Sequence, residues 1–62
     1  MLEGRETFLK IYANLPASLR KEIIVIVDDV GPMTWEAAYV DVINETPRAK
    51  EILDKLTKLS II

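Results

Sequence analysis

Phe8, Ile11, Tyr12 and Leu15 recur at spacings of three, four and seven, with Arg5, Glu6 and Lys10 turned away from them. That spacing sets one apolar face on a helix and predicts a first helix over residues 2–14. Gly4 weakens its first turn, which places the start near Arg5 or Glu6. Asn14-Leu15-Pro16 closes it, because the residue before a proline is pushed out of the helical region and proline fits the first turn of a new helix. From there Leu19, Ile23, Ile26, Val27 and Val30 fall at i, i+4, i+7, i+8 and i+11, a single stripe that predicts a second helix. The competing reading is a hairpin. Ile23 to Val27 is β-branched throughout, and Tyr39 to Ile43 could pair with it across a loop holding Gly31-Pro32. The PASLRKE lead-in favours the helix. In that case Ile24 and Val25 lie off the stripe and are left for a second surface.

Gly31-Pro32 stops the pattern. Thr34 is the expected N-cap of a third helix, with Glu36 in the first turn where the helix dipole favours a carboxylate. Trp35, Ala38, Tyr39, Val42 and Ile43 form its buried face, and Glu36, Asp41, Asn44 and Glu45 its wet one. Thr46-Pro47 repeats the cap-then-proline device and starts a fourth helix striped by Ala49, Ile52, Leu53, Leu56 and Leu59. Ser60-Ile61-Ile62 leaves that periodicity, as a tail docked on the core or paired with another chain. The expected fold is therefore an all-α bundle of four short helices, one small domain over residues 1–62. The alternative is an α+β domain with Ile23 to Val27 and Tyr39 to Ile43 as the hairpin.

Length sharpens this picture. A 62-residue chain buries only about 60% of the surface it exposes when unfolded. There is no cysteine and no histidine, so no disulfide or thiolate metal site can staple so small a core. With 50% hydrophobic residues against 29% charged, the chain is too apolar for a disordered segment. Surplus apolar surface in an unstapled small domain points to a partner, most simply a second copy. The candidate interface is Ile24, Val25, Ile61 and Ile62. Charge follows Met-Leu at once, so no apolar leader is drawn there. The longest apolar run, Ile23 to Val27, is far below the roughly 20 residues that span a bilayer. The sequence reads as soluble and cytoplasmic. Glutamine is absent and only Asn14 and Asn44 represent the amides, which fits a heat-adapted source.

Net charge is -2 and the pI about 4.9, against an indiscriminate nucleic-acid binder. The distribution is uneven. Residues 1–46 hold eight acidic and four basic side chains, whereas 47–62 hold Arg48, Lys50, Lys55 and Lys58 against Glu51 and Asp54. Arg48, Lys55 and Lys58 share an exposed face with Glu51, either to meet phosphates or as a solvated, ion-paired surface. Trp35 and Tyr39, one turn apart, offer a stacking platform for bases or, as their shared stripe favours, core packing. Asp28 and Asp29 after an apolar run suggest the acidic end of a nucleotide-binding strand, but only Gly4 and Gly31 exist to build a phosphate loop. Calcium-loop spacing is missing, and Ser18, Thr7 and Thr57 have no histidine base to activate them. Asn44-Glu45-Thr46 has the form of a glycosylation triplet and reads better as a turn and cap. No enzyme activity, cofactor, metal, membrane contact or small-molecule substrate is expected.

The order LRKEIIVIVDDVG, PMTWEAAYVDV, PRAKEILDKLTKL and SII resembles the winged-helix branch of helix-turn-helix proteins, with the threonine-capped helix after Gly31-Pro32 and the ILDKLTKLSII ending as its closest echoes. The resemblance implies a helix-turn-helix-like C-terminal half whose last helix, Pro47 to Leu59, enters the major groove. Arg48, Lys50, Lys55 and Lys58 would then be the phosphate or base contacts. Two functions are thus expected from the sequence: a self-associating protein-interaction module, and, as the alternative, a helix-turn-helix DNA-binding regulator.

Overall fold

The computed structural model describes residues 3–28 and 30–62. Among these residues three helices pack with a two-stranded antiparallel sheet: α1 (Arg5–Ala13), β1 (Ile23–Val27), β2 (Gly31–Thr34), α2 (Trp35–Ile43) and α3 (Pro47–Lys58), with a 3-10 turn at Leu19–Lys21. The fold is therefore α+β, and the expected all-α bundle of four helices is corrected. The hairpin alternative had the right strand and the wrong partner. Ile23 faces Thr34, Val25 faces Met33, Ile26 faces Pro32 and Val27 faces Gly31, while Tyr39 to Ile43 is helical.

The overturned helix has a physical explanation. Five consecutive β-branched residues each lose side-chain freedom against a preceding helical turn, whereas a pleated strand accommodates them. Gly31, at φ 93°, supplies a left-handed backbone after the turn that few other residues adopt. The stripe that suggested a helix is mostly surface. Leu19, Ile23, Ile26 and Val30 are all exposed, and only Val27 of the five is buried. What the core takes instead is the two-residue alternation Val25 and Val27, with Met33 across the ladder. A register shift between Ile23 and Val25 inserts Ile24 as an extra residue, so Ile23 does not share the burial of Val25.

Core and caps otherwise follow simple rules. Ala49, Ile52, Leu53 and Leu56 of α3 are buried against Val25, Val27, Phe8, Ala38 and Val42, and Leu59, the fifth member of the expected stripe, is exposed. Phe8 packs on Trp35 with ring centroids 5.5 Å apart. The Thr34 hydroxyl accepts from the Ala37 N–H at 3.1 Å and caps α2. Thr46 precedes Pro47 as anticipated but does not cap α3. Its hydroxyl turns back and donates to Asp41 Oδ1 at 3.0 Å. Asp41, expected in water, is 9% exposed. It also receives Arg48 Nη1 at 3.3 Å, and its carbonyl accepts the Thr46 N–H at 3.1 Å. Ile43, expected in the core, is exposed. One carboxylate thus ties the end of α2 to the start of α3 through a turn in which Glu45 sits at φ 50°.

The C-terminus is organised by a left-handed residue too. Ser60 adopts φ 58°, and the Ile61 N–H donates to the Leu56 carbonyl at 3.0 Å, the six-to-one closure of a Schellman motif. Ile61 and Ile62 are thereby returned to the core as half-buried side chains. The end of the chain reaches α1: a Cβ on Gly4, itself at φ 84°, would stand 3.1 Å from Ile62 Cδ1.

Two outcomes follow for stability. Asp41→Ala leaves the Thr46 hydroxyl without its acceptor and Arg48 without its partner. Because the Arg48 side chain is 43% exposed, the ion pair adds little and the loss is expected at about 1–3 kcal/mol from the part-buried hydrogen bond, measurable by urea unfolding. Ser60→Gly relieves a left-handed strain of about 1–2 kcal/mol against roughly 0.5–1 kcal/mol of glycine entropy. A rise of a few degrees in Tm by circular dichroism is the expected result; a fall would show that Ser60 holds the turn by other means.

Candidate protein-interaction groove

In a strand whose residues alternate faces and edges, whatever does not meet the partner strand meets water or another element. Among the described residues β1 has one partner strand, β2. The Ile26 carbonyl points away from that partner, since it accepts from Lys55 Nζ at 3.0 Å. Pro32 stands opposite Ile26 and has no N–H to give. β1 is thus an edge strand, and α3 runs beside it as a wall.

Between that edge and α3 lies an open groove of about 580 Å³, floored by β1 from Ile23 to Ile26 and walled by Lys55, Lys58 and Leu59. The side chains there are apolar and wet: Ile23 is 63% exposed, Ile26 65% and Leu59 60%. The lysines contribute aliphatic stems with charged ends, a usual arrangement along an apolar surface. Besides Ile26, Lys55 Nζ lies 3.7 Å from Asp28 Oδ1 and 3.7 Å from Glu51 Oε2. It therefore bridges the end of β1 to α3.

The structure sorts the anticipated interface residues differently from their hydrophobicity. Val25 is buried in the chain's own core, and Ile24, Ile61 and Ile62 pack half-buried against it. Ile24 and Val25 line the groove as well, while Ile23, Ile26 and Leu59 supply its exposed apolar surface. These three were not singled out from sequence. Recognising β1 as a strand would have flagged Ile26 as facing away from the buried Val25 and Val27. Ile23 would still have been missed, because the register shift moves it.

The four anticipated nucleic-acid contacts lie on α3, three of them engaged with carboxylates. Arg48 holds Asp41, Lys50 holds Asp54 at 3.2 Å, and Lys55 holds Asp28 and Glu51. Lys58 has no ion-pair partner among the described residues. The aromatic pair is also occupied. Trp35 is buried against Phe8, and Tyr39 stacks on Tyr12 at 4.2 Å, whose ring also carries Arg20 at 4.4 Å. Of the two aspartates weighed as a nucleotide-binding strand end, Asp28 is exposed beside Lys55 and Asp29 lies outside the described residues, as do Met1 and Leu2.

Comparison of the chain with protein-family models, with curated proteins and with solved structures finds no match. Among the described residues no helix is long and apolar enough to cross a membrane.

Cations that must first leave a carboxylate contribute little counterion release on meeting phosphate. A short DNA duplex titrated with the protein at low salt is accordingly expected to run unretarded in a gel. Retardation lost on adding salt would instead show that the chain's cations do meet phosphates.

Proposed function

We propose that this chain is a small non-enzymatic interaction module that self-associates through the groove between β1 and α3. The observation that carries this reading is the gathering of Ile23, Ile26 and Leu59, three of the most exposed apolar side chains of the molecule, along one strand edge and one helix end. Single exposed hydrophobic residues are ordinary on a protein surface, but contiguous apolar surface rimmed by charge marks an interaction site. The rim here is Lys55, Lys58 and Asp28. Size argues in the same direction. A domain of 62 residues without disulfides gains much of its stability margin from any further burial, since whole-domain stability is only about 0.05–0.15 kcal/mol per residue.

Sedimentation equilibrium tests the reading. The wild-type chain is expected to sediment as a dimer at high micromolar concentration. Ile26→Lys and Leu59→Lys should each shift it toward monomer, because burying one such side chain is worth about 1.5–3 kcal/mol, tenfold or more in the dissociation constant. Both positions are exposed, so thermal stability of the monomer should be unaltered. A wild-type chain that stays monomeric throughout that range would sink the reading.

A further inference from the structure

We infer that the occupant of the groove is β1 of a second copy, added antiparallel to the open edge of β1 so that two hairpins become one four-stranded sheet across a two-fold axis. This rests on the groove being the self-association site and specifies how it is used.

The edge itself asks for a strand. The Ile26 carbonyl faces outward and, among the described residues, is met by a lysine side chain, which a backbone N–H can replace at the same position. Beside that edge, the groove is apolar along its length with lysines on its α3 wall. The segment that complements it is an extended run of about five apolar, β-branched residues with carboxylates at its ends. The chain contains one such segment: Glu22, then Ile23 to Val27, then Asp28. Glu22, Ile23, Ile26 and Asp28 are all exposed, so the run is available without unfolding anything.

Direction follows from the position of the lysines. Lys55 stands beside Ile26 and Asp28, at the C-terminal end of β1. An antiparallel second strand brings its own N-terminal end there, so Glu22 of the second copy approaches Lys55 as that lysine leaves the Ile26 carbonyl. Asp28 of the second copy then lies toward the other end of β1. Every such contact occurs twice, as an isologous interface requires.

The sheet also ends itself. Where the groups of one residue in an antiparallel pair point outward, those of the residue opposite do too. Pro32, opposite Ile26, therefore puts a position without an N–H on the outer edge of β2, a common means of stopping edge pairing. Growth stops at two chains, with strand order β2, β1, β1, β2.

The chain is short enough for total chemical synthesis, which allows the decisive variant: N-methylation of the Ile26 backbone nitrogen, removing one outward N–H while keeping the side chain. Two measurements are made on wild-type, N-methyl and Ile26→Lys proteins: sedimentation equilibrium, and amide exchange by NMR as a function of concentration. Strand addition predicts that Ile26 exchange slows severalfold or more as the dimer forms, and that the N-methyl protein is monomeric while its circular dichroism stays that of the wild type. In a mixture of isotope-labelled and unlabelled chains, it also predicts intermolecular contacts between β1 backbone protons. A wild-type dimer that is abolished by Ile26→Lys but persists after N-methylation, with Ile26 exchange independent of concentration, would overturn strand addition and leave the groove as a side-chain interface. A wild-type monomer would overturn both.

Discussion

A two-stranded hairpin is at best marginally stable alone in water, and β1 with β2 persists because α3 covers the face that carries Val25, Val27 and Met33. Ala49, Ile52, Leu53 and Leu56 meet Val25, Val27 and Met33 in a single cluster that also takes Phe8, Trp35, Ala38 and Val42. The Thr34 cap lets the chain pass from strand to helix with no intervening loop, and Asp41 ties the end of α2 to the start of α3. With no disulfide to restrain the unfolded chain, the core rests on packing density alone, and packing is unforgiving of lost volume.

Covering one face of a hairpin leaves its edges undecided. β2 has a proline on its outer side and β1 has a lysine bonded to a carbonyl. The two devices differ in kind. Proline removes a donor permanently, whereas a lysine can swing away, so the molecule carries one edge that is closed and one that is latched. The apolar side chains lie along the latched edge.

What could be read from the sequence depended on whether a signal was local. Helix ends at Thr34, Pro47 and Asn14 rest on neighbouring residues and stand where the chain indicated them. The stretch from Leu19 to Val30 could not be settled locally, because its apolar residues satisfy a helical repeat and a strand alternation together. The deciding facts are nonlocal: Met33 across the ladder and α3 beneath it. The groove was concealed for the same reason. Lying off a helical stripe nominated Ile24 and Val25, and leaving the periodicity of the last helix nominated Ile61 and Ile62, but which apolar residues stay wet is set by a register shift at Ile24 and by the left-handed turn at Ser60. Asp41 shows the converse case. A charged residue in an amphipathic pattern was expected in water, and its burial depends on a threonine five residues later whose cap-like position disguised a different bond.

The return of Ile62 to Gly4 has a topological meaning beyond packing. It ties the entry to α1 to the segment that follows α3, two stretches far apart in the sequence, through one side-chain contact. A side chain at Gly4 would both strain a left-handed backbone and press on Ile62, so one substitution there disturbs the entry to α1 and the docking of the tail together.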